Sequence, residues 1–267
     1  MEYDHSRKAG NQGDVWKHAM LLSLAGEVPA TSDTFHYVES HCGAPVHSLK
    51  PGGEWEHGVG RVVRDGACEA DYCTVAREWI RKNRYPAGWV FVTNRLAQRF
   101  KSVQVCLTDL SENVAAQYPA SAGLFLPSVN ITFQKKEGFA LAAGLKRADL
   151  VFLDPPFHPD AVSDWRTLGT TCLKLETTGI PFVAWYPISW PTRPQVLVDT
   201  VECEAWEMQW AKFGAKHSQN LKGCGMVVSG NLPPMSDDTH QELQRLAACL
   251  GAEIKVRRPM AAGARDQ

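Results

Sequence analysis

The chain contains the stretch Val151-Phe152-Leu153-Asp154-Pro155-Pro156-Phe157, in which a short apolar run ends at an acid, two prolines and an aromatic ring. An apolar run bounded by a proline turn is typical of a buried strand. Each proline fixes φ and lacks a backbone N–H, so the turn presents carbonyl oxygens and one carboxylate. Asp154 and the Pro155 carbonyl can each accept a hydrogen from a planar NH2 group while Phe157 stacks on its ring. A plain strand followed by a proline turn is the alternative.

Further strand patterns lie on both sides of this stretch and are separated by segments with helical patterns. They cover residues 35–39, 103–107, 131–133, 150–153, 181–185 and 226–228. Before the first of them, Asn11 and Asp14 offer caps for a helix that includes Val15, Ala19 and Leu22. The alternation of strand and helix predicts an α/β fold with a largely parallel, doubly wound sheet that has helices on both faces.

The bulk composition is that of an ordinary globular protein. Its 267 residues are 44% apolar and 21% charged, and the net charge of -1 gives no strong overall field for nucleic acid, so any RNA contact must be local. The eight cysteines contain no Cys-x-x-Cys pair, which favours reduced thiols in a cytoplasmic protein and predicts no metal site. No run approaches the roughly 18 apolar residues of a membrane span, so no membrane partner is expected.

Ligands of doubly wound sheets bind beyond the carboxyl ends of the strands, where this chain places acids and glycines. The turn at Asp154 to Phe157, which can hold an NH2 group, suits N-methylation, for which S-adenosylmethionine is the methyl donor. Asp109 has the position to bind the donor's ribose, Glu137-Gly138 can border its adenine, and Gly43 permits a close backbone approach. The alternative is that each acid caps the helix that follows it.

Lys17 and His18 are adjacent on the predicted N-terminal helix. Neighbouring helical side chains point about 100° apart, so the two cannot face the same environment. One of them is expected to meet the donor's carboxylate. The alternative is an exposed lysine beside a histidine whose hydrogen bonds are satisfied within the helix packing.

Six ordered motifs run from one end of the chain to the other. They are Tyr3-Asp4-His5-Ser6, Ala9-Gly10-Asn11-Gln12-Gly13-Asp14-Val15-Trp16-Lys17-His18, Tyr37-Val38-Glu39-Ser40-His41-Cys42-Gly43-Ala44, Leu153-Asp154-Pro155-Pro156-Phe157, Trp185-Tyr186-Pro187 and Gly225-Met226-Val227-Val228. Together they resemble the successive motifs of the RlmJ family, in a divergent form. That family methylates N6 of an adenine in large-subunit ribosomal RNA with S-adenosylmethionine.

The resemblance implies a Rossmann-like class I methyltransferase with a mostly parallel seven-stranded sheet. It implies a methyltransferase domain of residues 1–45 and 86–267, interrupted by an inserted helical subdomain at 46–85. The catalytic turn would be Asp154, Pro155, Pro156 and Phe157. The donor would be surrounded by Lys17, His18, His41, Asp109, Glu137, Gly138 and Asp154, and the target base would be covered by Tyr3 and His5.

Several alternatives remain open at the level of sequence. Phe157 stands where the family has tyrosine, and with the near-zero charge this permits DNA or a small amine-bearing metabolite as the acceptor. Pro45, in place of a glycine, raises the alternative of a noncatalytic nucleic-acid-binding protein on the same scaffold. Lys212, Lys216, His217 and Lys222 form either a phosphate-binding arm or a solvated loop, and the basic tail at 255–258 is expected to be mobile. The tryptophans are expected in the core, and a monomer is favoured.

Overall fold

The fold is taken from a computed structural model, which describes residues 7–64, 70–157, 162–189, 193–210 and 221–260. Tyr3 and His5, which were predicted to cover the target base, lie outside the described residues. The same is true of Lys212, Lys216 and His217 in the predicted phosphate-binding arm.

The described strands form one large sheet and one small ladder. They are β1 (Thr34–Ser40), β2 (Val46–Ser48), β3 (Arg84–Pro86), β4 (Ser102–Thr108), β5 (Val129–Gln134), β6 (Leu150–Leu153), β7 (Phe182–Ile188), β8 (Ala205–Trp210), β9 (Gly223–Val228) and β10 (Ala252–Arg257). The large sheet has the order β10-β8-β9-β7-β6-β1-β4-β5, and β2 pairs with β3. The pairs among β5, β4, β1, β6 and β7 are parallel, which confirms the predicted α/β class.

The helices connect these strands and cover both faces of the sheet. They are α1 (Gln12–Glu27), α2 (Val59–Arg64), α3 (Asp71–Ile80), α4 (Gly88–Ala97), α5 (Glu112–Gln117), α6 (Gly138–Gly144), α7 (Val162–Thr177), α8 (Arg193–Val201) and α9 (Asp237–Cys249). Asn11 is the N-cap of α1 and accepts a hydrogen bond from the Asp14 backbone, as the cap residues predicted.

Strand β6 lies in the middle of the sheet and is buried on both faces. Leu150 and Phe152 pack into the hydrophobic cluster beneath α1 and α4, whereas Val151 and Leu153 pack into the cluster beneath α7 and α8. Successive side chains of a strand point to opposite faces, so a strand covered on both sides needs an unbroken apolar sequence. This explains the run that precedes Asp154.

The described sheet has eight strands where seven were expected. The additional strand, β10, pairs antiparallel with β8 at the sheet edge. The expectation of a mobile tail at residues 255–258 is therefore wrong, because Lys255 and Arg257 lie in β10. The guanidinium of Arg257 donates to buried Glu207, with Nε 2.7 Å from Oε1, and this ion pair fastens the edge strand.

Residues 46–85 leave the sheet after β1 and return at α4. The segment begins and ends in the β2–β3 ladder, in which Val46 is opposite Pro86 and Ser48 is opposite Arg84, and it contains α2 and α3. Its buried side chains, among them Tyr72 and Val59, join the same cluster as α1. The division of the chain into a main domain and an inserted subdomain stays a prediction.

Two bulk expectations have different outcomes. Among the described residues six cysteines are free, but Cys73 is disulfide-bonded, so the expectation of reduced thiols is wrong at this position. Within the described ranges, no helix combines the length and apolar character that a membrane crossing requires.

Gly58 joins the segment to the loop before α1, and we expect Gly58→Ala to destabilise the fold. A Cβ there would stand 2.1 Å from the Gly10 carbonyl oxygen, which also accepts a hydrogen bond from the Val59 backbone at 2.9 Å. Backbone cannot move aside cheaply, so the free energy of unfolding should fall by about 1 to 3 kcal/mol in urea titrations. Gly144→Ala is the matched control, because its Cβ would meet nothing within 4 Å. Equal stability of the two variants would contradict the contact.

Candidate active site

Asp154 follows β6 at the carboxyl edge of the sheet and faces a partly open position. Its side chain retains 19% exposure, and its Oδ2 lies 2.7 Å from the Lys17 ammonium nitrogen. Among the described residues, no hydrogen bond reaches its Oδ1 or the carbonyl oxygen of Pro155. The turn therefore offers two adjacent acceptors that the described protein does not use.

Lys17 is held between two acids. Its ammonium lies 3.0 Å from Asp14 Oδ1 as well as 2.7 Å from Asp154 Oδ2, and its side chain is only 10% exposed. Burial by itself would lower the pKa of Lys17, but the attraction of Asp154 and Asp14 outweighs burial and raises that pKa above its ordinary value. Lys17 is thus a fixed positive charge at neutral pH, and it holds one oxygen of Asp154.

His18 points away from Lys17, as the geometry of adjacent helical residues predicted. Its Nδ1 lies 2.9 Å from the hydroxyl of Tyr85, and its ring stacks on Tyr85 at 5.4 Å between centroids. The Tyr85 hydroxyl also lies 2.8 Å from that of Tyr72. A Cβ at Gly88 would lie 3.3 Å from His18 Nε2, so His18 borders the first turn of α4. Of the two residues, Lys17 is the one that contacts Asp154.

The loop after β1, residues 41–45, is called the donor loop below. His41 adopts a left-handed conformation with φ of 59°, which costs of the order of 1 kcal/mol outside glycine. The turn brings the backbone N–H of Gly43 to within 3.0 Å of Asp109 Oδ2. Gly43 has φ of 63°, and a Cβ there would meet nothing within 4 Å, so the loop backs onto open space.

Asp109, Glu137 and Gly138 also have structural tasks at this edge. Asp109 accepts hydrogen bonds from the backbones of Gly43 and Ser111, and Glu137 caps α6 by accepting from Phe139 and Ala140. A Cβ at Gly138 would lie 2.7 Å from the His41 ring. Glycine at this position allows α6 to approach β1. The capping alternative therefore holds for Glu137, whereas the N-cap of α5 is Ser111 and Asp109 holds the donor loop. The predicted donor contacts of both acids stay predictions.

Burial and nearby acids act in opposite directions on the pKa of His41. Burial lowers this pKa below its ordinary value, and the charges of Asp154, Glu137 and Asp109 only partly oppose burial. The ring is therefore neutral at pH 7. Its Nδ1 lies 2.9 Å from the Ser40 hydroxyl, and its Nε2 lies 3.6 Å from Glu137 Oε1. A neutral imidazole can serve as a hydrogen-bond partner at this edge without adding charge.

Aromatic rings flank the Asp154 turn. The ring of Phe157 packs against Trp165 at 5.1 Å and Trp185 at 5.9 Å between centroids, and it is only partly exposed. Trp185 follows the pairing of Leu153 with Ala184 and so stands beside Asp154 on the neighbouring strand. The Lys17 ammonium lies 5.8 Å from its ring centroid. Trp185 packs against the main hydrophobic cluster, as expected from the sequence, and the register of β6 and β7 also places it beside Asp154.

Tyr37 and Glu39, in the second half of β1, were assigned no role of their own from the sequence. Glu39 is 2% exposed and accepts a hydrogen bond from the buried hydroxyl of Tyr37. Burial, with a smaller contribution from the charge of Asp154, raises the pKa of Glu39 well above its ordinary value, although Tyr37 and Lys17 oppose the rise. Glu39 is therefore a buried acid beneath the site that is more easily protonated than an exposed glutamate. An acid at the end of a buried strand was the available signal.

A mostly parallel sheet in this order, with acids at its carboxyl edge and an Asp-Pro-Pro turn after the central strand, defines a Rossmann-like methyltransferase fold. The chain is 25% identical to "Ribosomal RNA large subunit methyltransferase J" of Escherichia coli (strain K12), over 85% of this chain and 86% of that protein. It is 26% identical to the protein of the same name from Haemophilus influenzae, over 70% of each chain. The resemblance to the RlmJ family is therefore confirmed, at an identity that fits a divergent member.

A solved structure of another protein has a similar fold. A crystal structure of a protein from Legionella pneumophila str. Philadelphia 1 superposes with a TM-score of 0.77, over 94% of this chain and 98% of that chain, at 17% sequence identity. At this identity the likeness concerns the fold alone. No family model matches the chain.

Proposed function

We propose that this protein is an S-adenosylmethionine-dependent methyltransferase that modifies N6 of an adenine in ribosomal RNA. The observation that carries the proposal is the turn at Asp154, whose two unused acceptors lie at the carboxyl edge of a methyltransferase fold. Both curated relatives carry the name of a ribosomal RNA methyltransferase, which supports this substrate class. A cytoplasmic location and a monomeric state remain predictions that go with it.

The residues at the edge fit the methyl donor. The open space behind Gly43 admits a ligand against backbone, and each oxygen of Asp109 accepts one backbone hydrogen bond, which leaves lone pairs for ribose hydroxyls. Lys17 would contact the donor's carboxylate, and His18 would lie behind this wall of the site, beside the first turn of α4. Glu137, Gly138 and His41 would border the donor's adenosine. S-adenosylmethionine supplies an electrophilic methyl group when bound.

The turn would orient the amine of the target base. Asp154 Oδ1 and the Pro155 carbonyl each accept one N–H, so the nitrogen lone pair is directed away from the turn. Because Lys17 occupies Oδ2, the carboxylate presents Oδ1 in a fixed direction. The negative charge of Asp154 stabilises the positive charge that develops on nitrogen during transfer. Phe157 and Pro156 complete the wall of the site, and Tyr3 and His5 are proposed to cover the base.

The test is transfer of a labelled methyl group to unmodified ribosomal RNA, to DNA and to a pool of small amines, with donor binding measured by calorimetry. We expect label in RNA, recovered as N6-methyladenosine after digestion, and donor binding at micromolar concentration. Label in DNA or in small amines alone would mean that the acceptor is not RNA, while the proposed methyl transfer to an amine would stand. Absence of donor binding would support the noncatalytic alternative and overturn the proposal.

A further inference from the structure

Residues Arg77, Arg81, Lys82 and Arg84 form a basic surface at the outer end of segment 46–85, which we call the basic edge. Arg81, Lys82 and Arg84 are exposed, and Arg77 is half-buried. Within the described residues, none of their side chains makes a hydrogen bond or an ion pair, and Lys82 lies 5.9 Å from the ring centroid of Trp79. Residues 77–84 contain a single acid, Glu78. The basic edge therefore presents positive charge that the described protein does not neutralise.

Some other exposed cations of the described chain do have acidic partners. Lys101 lies 2.8 Å from Asp33, and Arg258 lies 3.8 Å from Glu204. In the basic group at 255–258, Arg257 and Arg258 are thus both paired with acids of the protein. With a net charge of -1 the whole molecule does not attract a polyanion, so attraction must come from a local excess of positive charge. The basic edge provides such an excess.

The basic edge is fixed close to the donor loop. Ser48, opposite Arg84 in the β2–β3 ladder, is five residues from Gly43, so its Cα lies within about 18 Å of that of Gly43 even for a fully extended chain. The ladder is anchored from below by the buried hydroxyl of Tyr85, which contacts His18 at 2.9 Å. A ligand phosphate bound at Arg84 would therefore hold a position set by the same elements that build the site.

We propose that the basic edge binds those phosphates of single-stranded RNA that flank the target base. This inference rests on the proposed function. Guanidinium groups match phosphate geometry with two parallel hydrogen bonds, and three of the four cations are arginines. Sequence is not read here: phosphate contacts set the register of the strand, and the turn at Asp154 selects the amine.

The test compares the wild type with Arg81→Ala/Lys82→Ala/Arg84→Ala. RNA affinity is measured by fluorescence anisotropy with a labelled ribosomal RNA fragment over a salt series, and turnover and donor binding are measured separately. We expect RNA affinity at low salt to fall about ten- to a hundredfold and the log-log salt slope to become shallower by about 2, for three single-strand phosphates. The kcat at saturating RNA and the donor Kd stay unchanged.

Two controls separate this inference from its premises. Lys146→Ala/Arg147→Ala removes two exposed cations near the amino end of β6, away from the carboxyl edge, and should leave RNA affinity unchanged. The charge-conserving variant Arg81→Lys/Arg84→Lys should keep the wild-type salt slope. An unchanged slope in the triple alanine variant, with methylation of RNA by the wild type, overturns the inference alone. A wild type that binds RNA without methylating it overturns the proposed function alone.

Discussion

Asp154→Asn is expected to reduce methyl transfer by about a hundred- to a thousandfold while leaving donor affinity within about threefold, because it removes one preorganised charge that acts in the transition state. The amide has the shape of the carboxylate, but it carries no negative charge to stabilise developing positive charge on the amine. It can also turn its NH2 group toward the substrate, where it would repel the amine hydrogens. Single-turnover rates at saturating donor and RNA measure the effect.

A matched control lies at the other end of the same strand. Asp149 precedes β6 and accepts a hydrogen bond from the His36 backbone at 2.7 Å, at the edge opposite the turn. Asp149→Asn should keep the transfer rate within about twofold, since charges far from the reacting atoms contribute little. A rate near that of the wild type in Asp154→Asn would remove this residue from the mechanism.

The central part of the fold could be predicted because its signals are local. The apolar run of β6 and the strand patterns around it depend on residues that are neighbours in sequence. Strands β8 and β10 were missed for a physical reason: β8 carries Glu207, which is 1% exposed, and a buried acid contradicts a strand pattern. It is tolerated because Arg257 of β10 and the Tyr186 hydroxyl both donate to it. Those partners are 50 and 21 residues away, so only the folded chain brings them together.

The candidate active site likewise has features that could be predicted from the sequence and features that could not. The divergence of Lys17 and His18 follows from helix geometry and was predictable. The ion pair between Lys17 and Asp154 joins residues 137 positions apart, and nothing in the sequence alone specifies it. Trp185 was expected in the core because a large aromatic side chain suits burial. Its place beside Asp154 depends on the register of two strands, which the sequence alone does not give. Local patterns thus identify the functional residue types, and tertiary pairing decides which of them meet.

Lys17→Met is expected to lower the free energy of unfolding at neutral pH by about 3 to 5 kcal/mol, because it leaves the buried carboxylate of Asp14 and the largely buried carboxylate of Asp154 without their counter-ion. Both acids lie within 3.0 Å of the Lys17 ammonium in the wild type. Turnover should fall as well, since Oδ2 of Asp154 loses the contact that orients it. Urea unfolding followed at several pH values measures the loss of stability.

The direction of the pH dependence follows from the raised pKa of Lys17. A group whose pKa is raised on folding contributes its full stability below its unfolded pKa, which is about 10.4 for lysine, and loses that contribution as the pH rises through the folded pKa. The loss of stability in Lys17→Met should therefore be complete at neutral pH and should become smaller only in strongly alkaline solution.

The double variant Lys17→Met/Asp154→Asn removes one buried charge of each sign and should be less destabilised than the two single losses predict together. Lys101→Met, which breaks an exposed pair with Asp33, should cost less than about 1 kcal/mol. If the losses of the single variants were additive, the ion pair could not be what fixes Asp154. Donor binding at the edge would then have to orient the carboxylate instead.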